Sequence, residues 1–185
     1  MTSRWILQAA FLLGFLSIAL SINYEALELR QSSSNTACLE LLKQLHGRLC
    51  LGHRIDFKIP TEVKHPGQME KKDAAFVIQE MLQNIFIVFK NNSSSTGWNE
   101  NIVESFLDKL DDQIEFLKKT LEEVPANERW TPRNYPTIRR LKSYYLRVQR
   151  SLEVKGYSSC AWMVVRAEIL SNFSIIKNLT NIFQN

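Results

Sequence analysis

Three cysteines and three histidines are the side chains of this 185-residue chain best suited to nucleophilic or metal chemistry. The histidines are His46, His53 and His65, and they lack the HxxxH or HExxH spacing that holds a metal on one helix face. A nucleophilic pair of Cys50 with His53 is conceivable, but the chain has no GxSxG, P-loop or GxGxxG pattern around it. We therefore expect a protein without catalytic activity, metal or cofactor.

The cysteines are better suited to a disulfide. An odd number in a secreted chain allows one bridge and one free thiol, and the sequence permits three pairings. Cys38 falls on the apolar stripe of a predicted helix, where a free cysteine behaves as a small buried apolar residue. Cys50 lies in a predicted loop and Cys160 near a predicted helix start. We predict the bridge Cys50–Cys160 and a free thiol at Cys38.

Four asparagines begin an N-x-[ST] glycosylation sequon, at Asn91, Asn92, Asn172 and Asn178. Asn91 and Asn92 overlap in a polar turn, so crowding should let only one of them carry a glycan. Asn178 lies roughly opposite Ile176 on the last predicted helix and should face solvent, whereas the exposure of Asn172 stays open. We predict a glycan at Asn91 or Asn92 and keep the other two as candidates.

The first 21 residues have the layout of a secretory signal peptide. One basic residue, Arg4, precedes an apolar run, and the small residues Ala19 and Ser21 precede the predicted cut. The apolar run is short for a membrane span and no basic stop-transfer cluster follows it. We predict cleavage after Ser21 and a secreted chain over residues 22–185 that does not insert into membranes.

Five segments with helical periodicity must position these side chains. They span about 24–45, 73–90, 99–122, 137–155 and 159–182. Long links follow the first and third of them, and long links let consecutive helices run parallel. Three prolines before Thr137 exclude a helix there, and Thr137 itself is the expected cap of the fourth helix. The predicted fold is one all-α domain, a five-helix up-up-down-down bundle with long crossover loops.

Composition and charge agree with a helical binding protein. Gly 6 and Pro 5 are low counts for an all-β domain of this length. The net charge of +4 is spread along the chain, without the basic stripe or the motifs of a nucleic-acid-binding protein. A membrane-active helical protein needs one strongly basic helix face, whereas the third predicted helix has an acidic polar face. We disfavour that alternative and expect no nucleic-acid partner.

One pair of residues lies off the core-facing side of the last predicted helix. Arg166 and Leu170 are four residues apart and rotated away from Val165 and Ile169. Spacing alone favours a solvated arginine and a leucine at the edge of the core. An arginine beside apolar surface is, however, also typical of a protein-binding hot spot.

Several long motifs resemble those of the type I interferon family, and most closely its beta type. They are YSSCAWMVVRAEIL at 157–170, CLGHRIDFKIP at 50–60, IQEMLQNIF in the second predicted helix and SSTGWNE before the third. The resemblance covers the whole chain. It implies the five-helix fold, the Cys50–Cys160 pairing and a secreted antiviral and immunomodulatory cytokine without catalytic activity. The runner-up interpretation is another secreted four-helix cytokine.

The resemblance also implies the partners and the residues that contact them. The cytokine would act as a monomer and bring together the two chains of the interferon alpha/beta receptor, which starts JAK-STAT signalling. Contacts to the high-affinity chain would be Leu51, Arg54, Met163, Arg166, Ala167 and Leu170. Contacts to the low-affinity chain would be Gln79, Glu80, Gln83, Lys142 and Arg147.

Overall fold

A computed structural model describes residues 22–47, 50, 55–90, 96–125, 129, 131 and 134–184. All regular structure in these ranges is helical. The helices are α1 Tyr24–Gln44, α2 Thr61–Lys64, α3 Lys71–Lys90, α4 Glu100–Glu122, α5 Asn134–Val154 and α6 Ser159–Thr180, followed by a 3-10 turn at Asn181–Gln184. The all-α prediction is confirmed, and the five long helices match the predicted segments. The short α2 lies inside the first long link, where no helix was predicted.

Side chains that the sequence supplies cap the helices. The Asn23 side chain accepts a hydrogen bond from the Ala26 N–H at the start of α1, and the Ser158 hydroxyl accepts one from Ala161 at the start of α6. Gly156, with φ +57°, turns the chain between α5 and α6. Local chemistry therefore determines where these elements begin and end.

The start of α5 corrects a prediction. The helix begins at Asn134 rather than at Thr137, and Pro136 lies within its first turn. A proline is tolerated there because the first-turn N–H groups have no partner inside the helix. Thr131 and Asn134 form a reciprocal cap instead, since each side-chain oxygen accepts a hydrogen bond from the other residue's N–H, at 2.9 and 3.0 Å. Thr137 is buried inside the helix.

Four helices, α1, α3, α4 and α6, run up-up-down-down. α1 and α3 begin at the same end of the bundle, where the Lys71 Nζ lies 5.6 Å from the centre of the Tyr24 ring. α4 runs back along α3, because Phe89 near the end of α3 packs on Phe106 near the start of α4. α6 also runs back, since Phe183 just beyond its end packs on Tyr24.

The direction of α5 differs from what the link lengths predict. Asn134 donates a hydrogen bond to Asp73 near the starts of α5 and α3, and Lys142 lies 3.9 Å from Glu80 further along both helices. α5 therefore runs parallel to α3 and antiparallel to α4. α5 packs against α3 and α6.

Aromatic side chains fill the core where α3, α4 and α6 meet. The ring of Phe89 lies 5.0 Å from Phe106 and 5.6 Å from Trp162, and Trp98 lies 5.7 Å from Trp162. Each such pair contributes about 0.5–1.5 kcal/mol beyond its buried area. This cluster anchors α6, whose outer side carries the expected binding residues.

The segment Ser159–Gln184 is, by length and composition, apolar enough to cross a membrane, and it is the one such helix among the described residues. One side of it is buried against the other helices, with Trp162, Val165, Ile169 and Phe173 in the core. Packing within the bundle accounts for this composition.

Candidate functional site

A disulfide ties the first long link to the start of α6. Cys50 and Cys160 are bonded at 2.07 Å, with their Cα atoms 5.6 Å apart and a sequence separation of 110. This is the pairing predicted from the sequence. Because Cys50 is covalently attached to α6, the link leaves α1 beside the helix that carries Arg166.

Cys38 is a free thiol in the core. Burial raises its pKa to about 12. The Gln113 amide donates to its sulfur at 3.0 Å and accepts from the amide of Gln31 at 2.7 Å. Asn35 continues this buried network to Thr180 at 3.4 Å. The thiol is thus a packed part of the contact between α1, α4 and α6.

Arg166 binds the end of α1. Its Nε donates to the Leu42 carbonyl at 2.9 Å and its Nη2 to the Lys43 carbonyl at 3.0 Å. The last carbonyls of a helix lack partners within the helix, and a cation there is favoured by the helix dipole. Partial burial lowers the pKa of Arg166 from its usual value, but the group remains a cation at neutral pH. Arg166 is therefore half-buried, with two of its nitrogens already engaged.

The other expected residues of α6 lie around Arg166 at helical spacing. Met163 and Leu170 are half-buried and Ala167 is exposed, and positions three and four residues apart share a helix face. Met163 packs closely on Gly47, where an added Cβ would lie 2.5 Å from the Met163 sulfur. The lack of a side chain at Gly47 thus lets the link approach α6.

Leu51 and Arg54, the two expected contacts in the link, lie outside the described residues. The surface that the structure brings together consists of Met163, Arg166, Ala167 and Leu170, and we call it the α6 surface. Its edge against the link is fixed by Gly47 and by the disulfide.

The five residues expected to contact the low-affinity chain differ in accessibility. Gln79 and Gln83 are half-buried on α3, and Lys142 is exposed on α5. Glu80 is only 8% exposed. Its carboxylate accepts a hydrogen bond from Asn84 at 2.7 Å and lies 3.9 Å from the Lys142 Nζ. Glu80 is thus a support beneath Lys142 rather than an open surface group.

Arg147 is also less available than expected. Its Nε donates to the Phe57 carbonyl at 3.1 Å, its Nη2 to the Lys58 carbonyl at 3.0 Å and its Nη1 to the Ser143 carbonyl at 3.1 Å. The guanidinium is directed at the main chain of the first link. The family resemblance placed Arg147 among the receptor contacts, and its motif does not reveal these main-chain partners.

Two exposed apolar residues extend the same region and were missed from sequence. Ile87 is 44% and Leu146 63% exposed. They lie one turn after Gln83 and Lys142, respectively, so they share a face with them. Leu146 is out of phase with the core stripe of α5, so the periodicity of the sequence could have predicted its exposure. Ile87 was hidden because α3 is apolar nearly all round.

The structure argues against Asn172, which the sequence left open as a candidate glycosylation site. It is 1% exposed. Its amide nitrogen donates to the Tyr144 hydroxyl at 2.8 Å, and its oxygen accepts from the Tyr145 hydroxyl at 2.6 Å. A glycan needs that nitrogen in solvent. Asn178 is exposed, and the overlapping sequons at positions 91 and 92 lie outside the described residues.

The same network engages Glu168, which accepts a hydrogen bond from Tyr144 at 2.6 Å. Burial, together with the neighbouring carboxylate, raises the pKa of Tyr144 above its usual range. Burial also raises the pKa of Tyr145. The two tyrosines remain protonated at neutral pH, and their hydrogen bonds join α5 to α6.

Among the described residues, no three His, Cys, Asp or Glu side chains lie close enough together to hold a metal ion.

Comparisons with known proteins find similarity to interferons along the whole chain. The profile of the interferon alpha/beta domain matches residues 27–183. The chain is 56% identical to interferon beta of Mus musculus and 49% identical to interferon beta of Homo sapiens, covering 100% of both chains in each case. Zebrafish interferon 1 superposes with a TM-score of 0.71 over 85% of this chain and 99% of that chain, at 20% identity. At that identity the structural likeness shows the fold alone.

Proposed function

Since the chain belongs to the interferon alpha/beta family and is a non-enzymatic type I interferon cytokine, we propose that it brings together the two type I interferon receptor chains. Their association would start JAK-STAT signalling and so an antiviral and immunomodulatory response. The proposal includes secretion after removal of residues 1–21 and action as a monomer. The full-length similarity to proteins named interferon beta carries it.

The α6 surface supports a contact with the high-affinity chain. It combines one engaged arginine with apolar side chains of intermediate exposure, the composition of a hot spot rather than of a solvated face. It also lies on a rigid helix, because Trp162 and Val165 on the inner side of α6 are buried in the core. Leu51 and Arg54 complete this contact in the proposal.

The region of α3 and α5 around Gln83 and Lys142 supports the second contact. Ile87 and Leu146 add exposed apolar area beside these polar groups. We propose Gln79, Gln83, Ile87, Lys142 and Leu146 as the contacts of the low-affinity chain. Glu80 would act there through Lys142 rather than directly.

A substitution at Ala167 tests the α6 surface without disturbing the fold. Ala167 is exposed in the middle of α6, so Ala167→Arg should leave the melting temperature unchanged and add bulk at the proposed contact. We expect binding to the soluble high-affinity chain to fall at least roughly tenfold in surface plasmon resonance, the size of a hot-spot effect.

Ser33→Arg is the matched control, because Ser33 is exposed in the middle of α1 and the substitution adds the same charge. It should bind as the unsubstituted protein does. Equal binding by both variants would exclude the α6 surface as the contact. A loss with both would show that charge rather than position weakens binding.

A further inference from the structure

We propose that Arg147 is a positioning residue, which holds the end of the first link against α5 for the high-affinity contact and does not contact the low-affinity chain. The inference rests on the proposed function for its effect on receptor binding. Its structural part, a hydrogen-bonded clamp on the backbone of Phe57 and Lys58, stands on the distances alone.

The clamp lies on an unusual turn. Lys58 has φ +56°, the left-handed region that residues other than Gly, Asn and Asp seldom adopt. The turn is stabilised from within, because the Lys58 N–H donates to the Asp56 carboxylate at 2.9 Å and the Lys58 Nζ lies 2.6 Å from it. Asp56 and the Lys58 side chain are both exposed, so water competes with these bonds. Such a conformation persists only where its surroundings fix it.

Two neighbours of the turn supply that constraint. The Phe57 side chain is 3% exposed and packs in the core. Arg147 binds the carbonyls on both sides of the turn's centre, those of Phe57 and Lys58, while its third hydrogen bond returns to Ser143 on its own helix. The guanidinium thus connects α5 to two consecutive peptide groups of the link.

The geometry requires an arginine. A guanidinium presents its N–H groups in a planar fork, which reaches two carbonyls at once, whereas a lysine ammonium is a single point charge. A receptor contact based on charge alone would accept either residue. Arg147→Lys therefore distinguishes a clamp from a charged contact.

The position in sequence connects the clamp to the proposed contact. Phe57 and Lys58 follow Arg54 by three and four residues. At the other end of the same link, Arg166 holds the carbonyls of Leu42 and Lys43, and the disulfide holds Cys50. The link is therefore attached to α6 before Leu51 and to α5 after Arg54.

The first experiment measures the clamp with no receptor present. Amide hydrogen exchange of the peptide covering residues 55–65 should be roughly tenfold faster in Arg147→Lys, the factor expected from the loss of about one hydrogen bond. Exchange in α1 and α3 should not change. Arg150→Lys is the control, since Arg150 is exposed on the same helix and its side chain makes no hydrogen bond to the described residues.

Unchanged exchange at 55–65 in Arg147→Lys would overturn the clamp. Equal acceleration over the whole chain would also overturn it, because it would indicate a general loss of stability. Acceleration in Arg150→Lys as well would assign the effect to loss of an arginine anywhere on α5.

The second experiment measures binding to each soluble receptor chain. Arg147→Lys should weaken binding to the high-affinity chain about tenfold and leave binding to the low-affinity chain unchanged. A loss confined to the low-affinity chain, or no loss, would contradict the positioning role. If the unsubstituted protein binds neither chain, the proposed function fails, and the exchange experiment still decides the clamp.

Discussion

At the scale of single residues, three arginines in the described part of the chain bind main-chain carbonyls near the ends of helices or links. Arg166 holds the end of α1, Arg147 the end of the first link, and Arg129 the end of α4 through the carbonyls of Glu122 and Val124. Each satisfies acceptors that the helix or turn leaves open. An arginine that sequence reasoning assigns to a surface contact can therefore be committed to the fold.

Arg166 is proposed both to stabilise the fold and to contact the high-affinity chain, and the two roles can be measured separately. Arg166→Ala should destabilise the protein by about 1–2 kcal/mol in guanidinium unfolding, because two charge-assisted hydrogen bonds are lost. It should also weaken binding to the high-affinity chain by about 2 kcal/mol, as a hot-spot residue does. Arg150→Ala, with the same loss of charge, is the control and should change neither quantity. Full stability with full affinity would refute both assignments of Arg166.

The thiol of Cys38 gives a second prediction at this scale. Its pKa is raised from 9.0 to about 12 by burial, so the native thiol stays protonated and enclosed at pH 8. Iodoacetamide should label it only after unfolding, as followed by mass spectrometry under non-reducing conditions. The raised pKa also means that the native state loses stability as pH rises from about 9 toward about 12. Native labelling at the rate of the unfolded chain would contradict the buried position.

At the scale of elements, the sequence predicts helices well and their partners poorly. Apolar stripes and caps locate α1, α3, α4 and α6 because both signals are local. The start of α5 is missed since Pro136 normally argues against a helix. The partners of Arg147 and Arg166 could not be predicted at all, because their carbonyls are 90 and 124 residues away in sequence.

The sequons at Asn172 and Asn178 look alike in sequence but differ in exposure, because Asn172 is buried between α5 and α6. Asn178→Gln should reduce the mass of the secreted protein if that exposed site carries a glycan. Asn172→Ala should leave the mass unchanged apart from the substitution, because the buried amide carries none. It should cost about 2–3 kcal/mol in thermal or chemical unfolding, since the hydroxyls of Tyr144 and Tyr145 lose a buried partner. Loss of a glycan from Asn172→Ala would show that the packing of this junction is different.

At the scale of the molecule, the disulfide connects the first link to α6 and should stabilise the whole fold. The bridge closes a separation of 110 residues. Its removal in the double variant Cys50→Ser, Cys160→Ser should lower the free energy of unfolding by about 4–5 kcal/mol on the chain-entropy model. The measurement is guanidinium unfolding of both proteins, with unreduced and reduced unsubstituted protein as the control. A change below about 1 kcal/mol would show that the bridge constrains little of the unfolded chain.

Both proposed contacts lie on the surface of the bundle. The core is filled by aromatic and aliphatic side chains from all five long helices, and the described acids and histidines form no metal-binding group. The two proposed contacts use the outer side of α6 and the ridge formed by α3 and α5. A molecule with two such surfaces can contact two different receptor chains.

The most direct test of that central claim uses same-species cells that lack either receptor chain. The purified secreted protein should cause STAT phosphorylation in unmodified cells and none in cells lacking one chain, and Ala167→Arg should be weaker at equal concentration. Phosphorylation that persists without a receptor chain would contradict the account. So would a folded protein that causes no phosphorylation in unmodified cells.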